Sequence, residues 1–167
     1  MTEIWKPIKD YETYSVSTFG RFRNDKTNKI LKVFKNTDGS FGISLSNNGT
    51  KKRLQIHRLV ALAFIENPEN KEYVDHIDNN QSDNSVENLR WATRQENNRN
   101  TRIPSTNTSG VKGVHWEKLC QKWRSSIKID GISINLGRYN TIEEATFVRQ
   151  TRANEAFGIF TNACEKL

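Results

Sequence analysis

A chain of 167 residues with a hydrophobic share of only 34% is thin in apolar side chains for one large core, which favours small modules each built round a few aromatics. The net charge of +7 calls for a polyanionic partner, either nucleic acid or an anionic surface. No apolar run approaches the roughly 18 residues that a spanning helix needs, which excludes one. The opening MTEIWKPIKD has no apolar signal core, so an intracellular setting, cytoplasmic or nucleoid-associated, is expected.

The first sixty residues read as strand and turn. Gly20-Arg21-Phe22-Arg23 and the stretch from Lys29 to Lys35 interleave aromatic, aliphatic and cationic residues. Phe41, Ile43 and Leu45 alternate with Gly42 and Ser44, and Asn48-Gly49 is a two-residue hairpin signal. The return strand opens with Lys51-Lys52-Arg53. Such a sheet either keeps a solvated cationic face or lays that face along a phosphate backbone. Ile56, Val60, Ala63 and Phe64 then recur at helical spacing, which predicts a short buried helix ended by Asn67-Pro68. His57 leads this apolar helix and reads as structural or phosphate-contacting rather than as a metal ligand.

Residues 73–77 read as a strand, 78–85 as an Asn- and Asp-rich loop, and Leu89 to Thr93 as a second strand. Thr93 with Glu96 forms a capping-box pattern, so a helix should begin there with Asn97 in its first turn. Strand, loop, strand and helix make a ββα unit that would bring Asp75, His76 and Asn97 together. Residues 102–110 have linker composition. Beyond them Val114-His115-Trp116, Trp123 to Ile129 and the alternating Ile132, Ile134 and Leu136 predict three strands, with Asp130-Gly131 as a hairpin turn. Thr141 and Glu144 repeat the capping box before a helix of about sixteen residues. Ile142, Ala145, Val148 and Ala156 are expected on its inner face, where Arg149 and Arg152 intrude.

Charge is unevenly placed. Residues 1–66 carry 12 Lys/Arg against 6 Asp/Glu, residues 67–100 carry 4 against 7, and residues 101–167 carry 10 against 6. Two basic arms thus flank an acidic centre, as phosphate-gripping surfaces would flank a cation site. Cys120 and Cys164 stand far apart and outside any CxxC pair, so neither structural zinc nor a disulfide framework is expected.

Phosphodiester hydrolysis needs an activated water, charge neutralisation at the phosphoryl group and help for the leaving oxygen. Mg²⁺ (or Mn²⁺) accepts a sparse set of oxygen donors and keeps its waters. Asp75 and Asn97 offer that set for one ion per site. Successive strand side chains point to opposite faces, so His76 is better cast as general base than as a third ligand. Asn88 is expected to tie the 78–85 loop and orient His76.

Segment 56–100, with IHRLVALAF, VDHIDNN, DNSVENLRWAT and ENNRN, resembles the HNH endonucleases of the phage and intron-encoded homing type. The resemblance implies metal binding by Asp75 and Asn97 and catalysis by His76 with Asn88. EIWKPIKDYETYSVSTFGRFRN resembles the NUMOD4 module. GVKGVHWEKLCQKWRSSIKIDGISINLGRYNTIEEATFVRQTRANEAFG resembles an AP2 domain, a three-stranded sheet set in the major groove and backed by a helix. The expected class is α+β, with a β-rich module at 1–50, a nuclease core at 51–101, a linker at 102–110 and an AP2-like domain at 111–160. Expected DNA contacts are Arg21, Arg23, Lys51, Lys52 and Arg53 in the first half. In the second half they are His115, Trp116, Lys122, Trp123, Arg124, Lys128 and Arg138, although Trp116 and Trp123 would equally serve core packing.

These readings imply a site-specific, metal-dependent endonuclease acting on double-stranded DNA. One site per chain would give a nick from a monomer, with a dimer left open. The rival is a DNA-binding regulator that has kept the scaffold without cleavage, and an RNA-directed protein is a weaker third.

Overall fold

The computed structural model describes residues 2–101 and 103–162, so Cys164 lies outside the described residues. The chain divides into two compact units, residues 1–93 and 94–167. The described residues form four small sheets and three α-helices, the α+β class expected. No described helix is long and apolar enough to cross a membrane.

The first unit opens with an antiparallel sheet of β1 (Trp5–Ile8), β2 (Tyr11–Ser17), β3 (Phe22–Asn24) and β4 (Lys29–Ile30), in chain order. A second sheet pairs β5 (Phe34–Lys35), β6 (Phe41–Asn47) and β7 (Thr50–Gln55). Its hairpin turns at Asn48 (φ 48°) and Gly49 (φ 78°), the doubly positive pair that matches strand twist. Helix α1 (Ile56–Phe64) follows directly and buries Ile56, Val60 and Ala61. It stops earlier than Asn67-Pro68 suggested: the backbone is already extended at Ile65, whose carbonyl accepts the Trp91 indole N–H at 3.0 Å. A tertiary bond thus satisfies a helix-end carbonyl before the proline acts.

Strands β8 (Tyr73–His76) and β9 (Leu89–Ala92) form the third sheet, in the register Val74↔Trp91, Asp75↔Arg90 and His76↔Leu89. Ile8, Val16, Phe22, Ile43, Leu45, Ile56, Val60, Val74, Leu89 and Trp91 belong to one buried cluster. Each short sheet has too few apolar residues to be stable alone, and all three cover their inner faces in a common core. The separate small cores suggested by composition are therefore not found in this unit.

The second unit begins with α2 (Arg94–Arg99) and continues as an antiparallel sheet of β10 (Val114–Glu117), β11 (Lys122–Ile129) and β12 (Ile132–Tyr139). Asp130 (φ 49°) and Gly131 (φ 84°) make the second hairpin turn. Helix α3 (Ile142–Phe157) starts with both halves of the capping box, Thr141 accepting from the Glu144 backbone and Glu144 from the Thr141 backbone. Its buried residues are Ala145, Arg149, Ala153 and Phe157, not the expected Ile142, Val148 and Ala156, which are only partly covered. The inner face follows an i, i+4 row through two small residues, and Arg149 lies within it at 5% exposure. Room for its stem comes from Gly113, where a Cβ would stand 2.8 Å from Arg149 Nε.

Candidate active site and nucleic-acid faces

Asp75 and His76 are adjacent on β8, so their side chains leave opposite faces of the strand. Asp75 is buried to 5% exposure, and its cross-strand neighbour Arg90 donates to Oδ2 from Nε at 2.8 Å and from Nη2 at 2.7 Å. The pair needs this geometry, since a carboxylate so deeply placed is costly without a charged partner. His76 is half-buried. Its Nε2 meets Asn84 Oδ1 at 3.1 Å, and its ring stands edge-on to His57 at 5.4 Å between centroids. The His57 imidazole is pushed down to about 4, first by burial and then by the neighbouring His76 and Arg58, with Asp38 acting the other way. It stays neutral, a structural neighbour of the site.

The loop between the strands is held by its own side chains. Backbone N–H groups of Asn80, Ser82 and Ser85 donate to the side-chain oxygens of Asp78, Asn80 and Asp83, each two residues back. These successive Asx turns are what an Asn- and Asp-rich loop can build without a core. Asn88 closes it from the far side, accepting from the Asp78 N–H at 3.0 Å and donating to the Asp83 carbonyl at 2.9 Å. The Ile77 N–H also reaches the Asn88 carbonyl at 2.8 Å. Asn88 thus joins the two ends of the loop, but the amide that touches His76 belongs to Asn84. With so many amides in the loop, composition offered no means of choosing it. Asn97 lies on α2, in the second unit. Among the described residues no cluster of three His, Cys, Asp or Glu could hold a metal, so a cation here would rely on Asp75 with amide and water oxygens.

The expected DNA-contacting residues sort by face. Arg21 is ion-paired with Glu3, and its guanidinium holds the Glu3 carboxyl below the usual range. Arg23 pairs with Asp25 at 2.9 Å and stacks 4.7 Å from the Trp5 ring centre. On β7, Lys51 and Arg53 share a face with their partners Ser46 and Ser44, whereas Lys52 stands opposite Leu45 on the other. In the second unit the register aligns His115, Arg124 and Arg138 in one row across three strands, with Lys122 and Lys128 on the same open face. Arg138 is held by Glu117 on that face. Trp116 and Trp123 pair directly across β10 and β11, 5.3 Å apart and edge-to-face, on the side that also carries the buried Val114, Ser125 and Ile127. The sheet therefore separates the two tryptophans from the basic and imidazole groups.

Two family models match the chain: the NUMOD4 motif over residues 3–46 and the HNH endonuclease over residues 54–99. The DNA endonuclease I-HmuI of Bacillus phage SP01 is 44% identical over 94 residues, covering 56% of this chain and 54% of that protein. An uncharacterized HNH endonuclease, L245, of Acanthamoeba polyphaga mimivirus is 42% identical over 91 residues, covering 54% of this chain and 28% of that protein. A solved structure of the HNH homing endonuclease I-HmuI, determined for its DNA binding and cleavage, matches with a TM-score of 0.55 and 34% identity, over 93% of this chain and 83% of that one. The chain belongs to the HNH endonuclease family. Its matched part spans about half or less of the length of these curated relatives.

Proposed function

We propose that this chain is a metal-dependent DNA endonuclease of the homing type, cleaving one phosphodiester per site and so nicking a duplex as a monomer. The observation that carries the reading is the Asp75-His76 pair on β8, with a buried carboxylate on one face and an imidazole held by an amide on the other. His76 would accept the proton of the attacking water, and Asn88 would keep the loop beside it in place. A divalent ion would neutralise charge at the phosphoryl group and the leaving 3′-oxygen. The donor chemistry fits a hard cation such as Mg²⁺ or Mn²⁺, because Asp75 supplies a carboxylate, although an ion would compete with Arg90 for its Oδ2. Asn97 is retained as the second oxygen donor on the strength of the motif match alone.

Delivery to DNA is assigned to Lys51 and Arg53 in the first unit and to the open face of the AP2-like sheet, where His115, Lys122, Arg124 and Lys128 align. The experiment is incubation of the full chain with Mg²⁺ or Mn²⁺ and supercoiled DNA carrying candidate target sites. Nicked circles with 5′-phosphate and 3′-hydroxyl ends are expected, and none with His76→Ala, which should bind as tightly as the parent. Binding without nicking in either metal would sink the nuclease reading in favour of a silent regulator.

A further inference from the structure

We propose that Asn84 is a positioning residue that selects the tautomer of His76, and that the Gly20 turn of the N-terminal module holds Asn84 in place. Asn84 is 7% exposed, and its Nδ2 donates to the Gln81 carbonyl at 3.2 Å and the Ser82 carbonyl at 3.4 Å. With the amine side turned to two carbonyls, only Oδ1 is left to face His76, and it does so 3.1 Å from Nε2. An amide oxygen only accepts, so Nε2 carries the hydrogen, and in the neutral ring the lone pair is on Nδ1.

What fixes Asn84 is the N-terminal module. Gly20 (φ +72°) sits so close that a Cβ there would be 2.9 Å from the Asn84 carbonyl oxygen and 3.0 Å from its Cβ. Two residues further on, the Val86 N–H donates to the Thr18 carbonyl at 2.9 Å. The turn is itself stiff: the fully buried Ser17 accepts the N–H groups of Phe19 and Arg21 on its hydroxyl, and the Gly20 N–H on its carbonyl. A module matched to the NUMOD4 motif thereby reaches the ring of the proposed base through one glycine and one amide.

The consequence for cleavage rests on His76 acting as the base; the tautomer assignment does not. The test is ¹⁵N NMR of the metal-free full chain under alkaline conditions, where imidazoles are neutral, with the three histidines told apart by His57→Gln and His115→Gln. A dominant Nε2–H signal for His76 is expected, and a dominant Nδ1–H signal would overturn the proposal. Asn84→Ala should mix the two forms and slow nicking about 10- to 100-fold at unchanged DNA affinity. Asn84→Asp, which keeps an acceptor, should restore the Nε2–H form. Gly20→Ala should reproduce the mixing by displacing Asn84, and an unaltered tautomer in both Asn84→Ala and Gly20→Ala would overturn the assignment. A parent chain that shows Nε2–H but never nicks DNA would support the tautomer while removing the nuclease reading.

Discussion

Acid should destabilise this protein through His57 in a way that can be isolated. Burial depresses its folded-state ionisation from 6.5 to about 4, a shift reinforced by His76 and Arg58 and resisted by Asp38. The unfolded chain therefore takes up a proton near 6.5 that the folded chain refuses until about 4. Stability linked to this group is fully present above 6.5, drains away as the pH falls through that window, and changes no further below about 4. At about 1.4 kcal/mol per unit, the difference amounts to roughly 3 kcal/mol. Urea unfolding of the parent and of His57→Gln between neutral pH and pH about 4 should show the parent losing about 3 kcal/mol more than the variant. Carboxylates elsewhere titrate in both proteins and cancel in the comparison. Parallel losses in the two, or an NMR titration placing His57 near the ordinary imidazole range, would refute the reasoning.

Arg90→Gln should cost about 3 kcal/mol, because it removes the bidentate partner of a carboxylate that is 5% exposed; an unchanged melting temperature would count against the pair. Gly113→Ala should destabilise the second unit by at least about 2 kcal/mol, since its Cβ would overlap the Ser126 carbonyl oxygen at φ +70°. Hydrogen exchange confined to that unit would report it. Arg124→Glu with Lys128→Glu should weaken duplex binding and lower the slope of log affinity against log salt by about 2, and an unchanged slope would place the phosphate contacts elsewhere. Glu117→Gln should act in the opposite direction by releasing Arg138, giving tighter binding at low salt.

Much of the scaffold was legible because its signals are local. Asn48-Gly49 and Asp130-Gly131 each demand positive φ at two adjacent positions, and both hairpins turn there. Thr141 and Glu144 satisfy each other within four residues, so the start of α3 could be read from spacing. The bonds of Asn88 to Asp78 and Asp83 are of the same short-range kind. The remainder depends on residues distant in sequence. Nothing near Arg149 says that Gly113 makes room for it, and nothing near His76 says that Gly20 presses on Asn84, the loop residue whose amide meets the ring. The early end of α1 was equally hidden, being set by an indole 26 residues away.

The charge map illustrates how local and distant effects differ in consequence. The acidic stretch 67–100 reads as a cation site, yet Asp78 and Asp83 each commit one carboxylate oxygen to a loop N–H group and Asp75 is matched by Arg90. The basic arms are likewise trimmed, with Arg21, Arg23 and Arg138 drawn to Glu3, Asp25 and Glu117. Among the described residues, Lys51, Lys122 and Lys128 have no such carboxylate partner. Each arginine–carboxylate pair is neutral and leaves the net charge of +7 unchanged; what it alters is which cations stand unengaged on the open sheet faces, where long-range attraction to phosphates would act. On the proposed reading of this sheet as a DNA-binding face, its row of His115, Arg124 and Arg138 would meet the duplex, with Glu117 competing for the third member.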